Sequence, residues 1–173
     1  MNYPKLPKPK KLPLKVMNNP MVAKAFALSM KMHKGRVRRG ECEFNHIQRV
    51  AYSAYMKNKT IDINFDIVVA ALLHDCVEDG LITFDKLSKL FPKVIVSCLR
   101  FLTKKTCYFN YIQNMSRIHD YWQRFVVLQV KKSDLRDNIY KLEDGHRKDK
   151  YMFALDYINK IEDVISLSER KYS

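Results

Sequence analysis

Phe65-Asp-Ile-Val-Val-Ala-Ala-Leu-Leu-His74-Asp75-Cys-Val-Glu78-Asp79-Gly80 joins an apolar run to four ionisable residues and closes on a glycine. The run Phe65 to Leu73 reads as a buried helix, with Asp62 or Asn64 able to cap its start and Gly80 able to end it. Continued as a helix, it sets His74 and Glu78 four apart on one face and Asp75 and Asp79 on the neighbouring face. Four such groups at the end of an apolar helix are costly unless something compensates them, and a cation is the simplest compensation. One pair of groups can then meet the ion while the other handles a water and its protons. For this stretch taken alone, a solvated, charged helix end is the plain alternative.

Working outward, the chain alternates helical patterns with glycines. Asn19-Pro20 has the form of an N-cap followed by proline at the first helical position, and Val22, Ala23, Phe26, Ala27 and Met30 make a stripe that ends near His33-Lys-Gly35. A basic loop follows, then a helix over about Phe44 to Lys57 with Ile47, Val50, Ala51 and Ala54 inward. Beyond Gly80, Thr83 caps a short helix through Phe91, and Pro92 opens another with Ile95, Cys98, Leu99 and Leu102 inward. A short aromatic segment from Tyr108 to Met115 precedes a long amphipathic pattern, Arg117 to Leu142, and a last helix lies near Asp149 to Leu167. All four glycines fall between helices and no strand alternation appears, so the expected fold is an all-α, multi-helix domain.

At 173 residues and 47% hydrophobic composition, the chain supports one domain with a real core. The net charge of +14 is unevenly placed: no acidic residue precedes Glu41, and the first 40 residues carry eight Lys and three Arg. Residues 1–18, with four prolines and five lysines, read as an extended basic arm, and residues 19–173 as the globular domain. The body itself is nearly balanced, which argues against a uniformly basic nucleic-acid-binding surface. No apolar run approaches a membrane span and the basic N-terminus lacks a signal-peptide core, so a cytoplasmic location is expected. Cys42, Cys76, Cys98 and Cys107 lack zinc spacing and fit reduced thiols.

Two further polar positions break apolar faces. His46 begins the inner face of the second helix. Asp134 and Asn138 share a face in Val130-Lys-Lys-Ser-Asp134-Leu-Arg-Asp137-Asn138. Singly, such a histidine is usually a satisfied core residue and such an aspartate a helix-face charge. Together, His46…His74-Asp75…Asp134 has the ligand order of the HD phosphohydrolase superfamily. The larger pattern, His33-Lys-Gly, Arg38, Gly40-Glu41, His46, Ala-Leu-Leu-His74-Asp75-Cys-Val-Glu78-Asp79 and Val130-Lys-x-x-Asp134-x-x-Asp-Asn138, resembles the hydrolase domain of RelA/SpoT homologues, as in SpoT-like small alarmone hydrolases. The likeness runs over roughly residues 20–160.

That resemblance implies the all-helical HD-domain phosphohydrolase fold, one Mn²⁺ per chain, and removal of the 3′-pyrophosphate from (p)ppGpp to leave GDP or GTP. Carried over by position, it makes His46, His74, Asp75 and Asp134 the metal ligands. Glu78 and Asp79 become the groups that position and deprotonate water. Arg38, Asn138, Arg147, Tyr151, Lys104 and Lys150 become substrate contacts, with Arg147 and Tyr151 one helical turn apart. The implied partner is a small guanine nucleotide, with no membrane, and homo-oligomerisation stays open.

Two departures accompany the likeness. Cys42-Glu43 stands where relatives have Pro-Tyr, in a loop one residue short between His33 and His46, and Gly80 replaces a usual threonine. No further histidines suit a two-metal HD centre, so a mononuclear site is expected. The competing readings are an HD phosphohydrolase acting on another nucleotide (NADPH 2′-phosphate or a deoxynucleotide) and a non-catalytic HD scaffold whose basic arm binds nucleic acid or protein.

Overall fold

The computed structural model describes residues 7–38, 40–58 and 65–170, with side chains to residue 163. In chain order come α1 (Leu14–Met17), α2 (Pro20–Met32), β1 (Val37–Arg38), β2 (Glu41–Cys42), α3 (Glu43–Lys57) and α4 (Phe65–Leu73). They are followed by α5 (Phe84–Ser88), α6 (Lys93–Leu102), α7 (Tyr108–Ser116), α8 (Tyr121–Tyr140) and α9 (His146–Arg170). Among the described residues the fold is all-α apart from β1 and β2, which pair antiparallel with Val37 opposite Cys42 and Arg38 opposite Glu41. Two residues per strand are too few to show an alternation in sequence.

A helix apolar on every side has to be surrounded. Every residue of α4 from Ile67 to Leu73 is buried. Helices α2, α3, α6 and α8 all pack on it. Small residues allow close approach here: Ala51 and Ala54 of α3 and Ala70 and Ala71 of α4 are fully buried. Each buried Leu or Ile, such as Leu72 and Ile47, contributes about 1.5–3 kcal/mol of burial free energy. Helix α9 covers the other side of α8 through Ala154 and Ile158.

The helix ends follow the residues expected to make them. The Asn19 side chain accepts from the amides of Met21 (2.9 Å) and Val22 (3.2 Å). Thr83 accepts from Lys86 in the same way. The long helix expected from Arg117 begins later, at Tyr121, where Asp120 caps it by accepting from Gln123. Asp62 and Asn64, the expected caps of α4, lie outside the described residues.

Three expectations change. The first eighteen residues are not all an extended arm: Leu14–Met17 is helical, and Leu12 and Val16, four apart, are buried in the core. The short helix after Thr83 stops at Ser88, with Phe91 held by turns. The central helix ends at Leu73, so His74 to Gly80 runs as successive turns and not as two helical faces. One helix-like hydrogen bond survives there, from the Asp79 amide to the Asp75 carbonyl (2.9 Å). Gly80 closes the turns at φ +70°, a left-handed backbone that a side chain would strain.

Candidate metal centre

Four sequence-expected residues converge from three directions: His46 from the first turns of α3, His74 and Asp75 from the end of α4, and Asp134 from the middle of α8. His46 Nε2 lies 3.3 Å from Asp134 Oδ1 and 3.7 Å from Asp75 Oδ2. His74 Nε2 lies 3.2 Å from Asp75 Oδ1 and 3.8 Å from Asp134 Oδ1. Donor atoms of His46, His74 and Asp75 all fall within 4.8 Å of one another. The two imidazoles are buried, and among the described residues neither Nε2 has a hydrogen-bond partner.

The back of each ring explains the orientation. His46 Nδ1 faces Asp137 Oδ2 at 2.7 Å, and His74 Nδ1 faces the Ala71 carbonyl at 2.8 Å. In the neutral ring a proton held at Nδ1 leaves the Nε2 lone pair facing inward, the tautomer a metal ligand needs. Asp137 is itself gripped by Arg49 Nε (2.6 Å) and Lys141 Nζ (2.8 Å), while Glu41 pairs with both of those cations. Asn138 donates to Asp134 Oδ1 and to its carbonyl, so its amide steadies a donor.

The electrostatics are those of a site short of positive charge. Burial opposes ionisation of His74, yet Asp75 and Asp134 raise its pKa to about 9. Burial would likewise raise Asp134, but the Lys131 ammonium at 2.7 Å and the two imidazoles hold it well below the usual carboxylate range. A first-row divalent cation fits this donor set of two imidazole nitrogens and two carboxylates.

The centre opens into a cavity of about 380 Å³, large enough for a small ligand. Its lining includes His74, Asp75, Asp134, Asn138, Glu78 and Asp79, together with Arg38, Lys104, Lys150 and Tyr151. Arg38 reaches Asp75 at 3.5 Å. Glu78 is exposed and accepts from the Lys104 amide at 3.0 Å, tying the turns after α4 to the segment after α6. Burial, then the charges of Asp75 and Glu43, push Asp79 upward. Lys150 stands over the Tyr108 ring (4.6 Å) and the Tyr151 ring (5.3 Å) at the mouth.

One expected substrate contact lies elsewhere. Arg147 is exposed and does not line the cavity: it shares a side of α9 with Tyr151 but stands one turn nearer the helix start, outside the cavity wall. Conversely, Lys131, Tyr108, Glu43 and Asp137 take part in or support the site without having been assigned a role. Lys131 and Asp137 sit three residues either side of Asp134, a spacing visible in sequence but shared by many solvated helix pairs. Cys76, inside the central motif, is buried and its thiol is pushed up to about 12 by burial, which excludes it as a nucleophile.

Compared with protein-family models and with curated proteins, the chain matches none. Among the described residues no helix is long and apolar enough to cross a membrane.

Proposed function

We propose that this chain is a divalent-metal-dependent nucleotide phosphohydrolase of the HD type, with the 3′-pyrophosphate of (p)ppGpp as the leading substrate and a cytoplasmic site of action. The observation that carries the reading is the pair of buried Nε2 atoms of His46 and His74, without hydrogen-bond partners among the described residues, which converge with Asp75 and Asp134 beside a cavity also lined by Arg38, Lys104, Lys131 and Lys150. Those four residues would hold the cation, Mn²⁺ by the family likeness. Bound there, it supplies Lewis-acid activation of water and of a phosphoryl oxygen.

The remaining work falls to the chain's own groups. Asp79, raised by burial and by neighbouring carboxylates, is suited to take a proton from the attacking water. Glu78, fixed by the Lys104 amide, orients that water from the exposed side. Arg38, Lys104 and Lys150 offer positive charge to substrate phosphates, and Tyr151 with Tyr108 offers a ring surface and hydroxyls.

The test is release of pyrophosphate from ppGpp by purified protein with Mn²⁺, with chelator, and in Asp75→Ala and Glu78→Ala variants. GDP and pyrophosphate, lost on chelation and in both variants, support the assignment. Metal binding with ppGpp untouched redirects the search to other phosphate esters such as NADPH. Neither metal binding nor turnover refutes the enzyme and leaves the scaffold reading.

A further inference from the structure

His33, at the C-terminal end of α2, is fully buried and has no role in the site described above. Its Nδ1 lies 2.8 Å from the Ser29 carbonyl one turn back, an acceptor only, so the ring proton sits at Nδ1. The lone pair of Nε2 therefore points inward, and that buried atom has no hydrogen-bond partner among the described residues. His46 and His74 are built the same way. Facing the His33 ring are Glu43, the 5%-exposed first residue of α3, and Asp79, whose Oδ2 is also buried without a hydrogen bond. Donor atoms of these three residues lie within 4.8 Å of one another.

Arg36 attends the cluster: its Nε donates to Glu43 Oε2 at 2.5 Å, but its Nη2 stands 3.9 Å from Asp79 Oδ2. Arg38 also lies within electrostatic reach of Asp79, yet among the described residues Asp79 Oδ2 and His33 Nε2 stay without a hydrogen bond. Arg36 is 43% exposed, so it can swing into solvent without leaving a buried hole.

We propose that His33, Glu43 and Asp79 form a second divalent-cation site, with Arg36 as the displaceable counter-charge that guards it. One ion with bonds of about 2.0–2.2 Å answers the imidazole nitrogen and both carboxylates together, which a monodentate arginine does not. A donor set of one nitrogen and two carboxylate oxygens selects a first-row ion such as Mn²⁺ or Zn²⁺ over Ca²⁺, which prefers an all-oxygen shell. The site draws on Glu43, the residue that departs from the family pattern. It shares Glu43 and Asp79 with the cavity wall, so an ion bound there takes Asp79 out of its proposed role as proton acceptor, whichever nucleotide the cavity takes.

The experiment is equilibrium dialysis of the full, metal-stripped chain against Mn²⁺ alone and Zn²⁺ alone, with bound metal counted per chain. The wild type should bind two equivalents. Asp134→Asn should abolish the first and keep the second, whereas His33→Gln and Glu43→Gln should abolish the second and keep the first. Arg36→Ala, at an exposed side chain, should tighten the second site by about tenfold, the scale on which groups around a site tune its affinity. Circular dichroism and thermal melts identify a variant that fails to fold, and Arg36→Ala keeps the test decisive if His33→Gln does. The absence of any His33- or Glu43-dependent equivalent, in the wild type and on the Arg36→Ala background alike, overturns the proposal. Loss of the Asp134-dependent equivalent alone sinks only the first centre.

Discussion

Asp137 holds the Nδ1 side of His46, and replacing it with asparagine separates orientation of a ligand from its presence. The buried carboxylate receives His46 at 2.7 Å, Arg49 at 2.6 Å and Lys141 at 2.8 Å. Asparagine keeps the shape and one acceptor oxygen, but it loses the charge and brings an amide donor against two cations. Loss of such an orienting partner costs about 10–100-fold in metal affinity, or about 1.4–2.8 kcal/mol. Folding stability also falls. Arg49 and Lys141 retain Glu41, so the loss should be about 1–3 kcal/mol, below the 3–5 typical of an abandoned buried charge. Calorimetric titration with Mn²⁺ reads the first quantity and urea unfolding of the metal-free chain reads the second. Glu41→Gln is the control, because it weakens the same ion network without touching His46. It should lower stability while leaving Mn²⁺ affinity within about twofold. Wild-type Mn²⁺ affinity in Asp137→Asn refutes the orientation argument. Equal losses of affinity in both variants would reduce the effect to net charge.

Acid should dismantle the same network. Burial pushes Asp137 and Glu41 upward, but Arg49 and Lys141, joined by His46 at Asp137, hold both below their ordinary values of 3.8 and 4.5. Their stabilisation is complete above those values and drains away as pH falls below them towards the lowered folded-state values, so the urea midpoint should start to drop at about pH 5 and keep falling to the acid end of the titration, less steeply in Asp137→Asn. Parallel declines would assign the acid sensitivity elsewhere. On ppGpp, Lys150→Ala should raise KM by about threefold to tenfold, the loss of one exposed charge–phosphate contact, while Arg147→Ala should leave it within about twofold. The reverse order would mean that substrate lies against the start of α9, beyond the cavity. Leu72→Ala, at the centre of α4, should cost about 2–5 kcal/mol in urea unfolding, and a loss under about 1 kcal/mol would contradict the fully enclosed position.

Much of the architecture was legible because its causes are local. Asn19 and Thr83 cap helices with their own side chains, and the unbroken apolar run from Phe65 to Leu73 has no stable place except the middle of a bundle. His74 and Asp75 were conspicuous because polar residues that end such a helix stay close to the core. The chain alone also distinguished Asp134 and Asn138 as polar interruptions of an apolar face. Packing decided the rest. It stopped the central helix at Leu73, drew Leu12 and Val16 of the apparent arm into the core, left Arg147 outside the cavity wall and brought Lys131 onto Asp134. It also joined His46 to Asp137 across 91 residues and set His33 opposite Glu43 and Asp79. Caps, turns and periodicity are written within a few residues, where backbone hydrogen bonds and side-chain reach operate. Which lone pair faces which carboxylate depends on the separation and rotation of helices distant in the chain, and only the packed core fixes those.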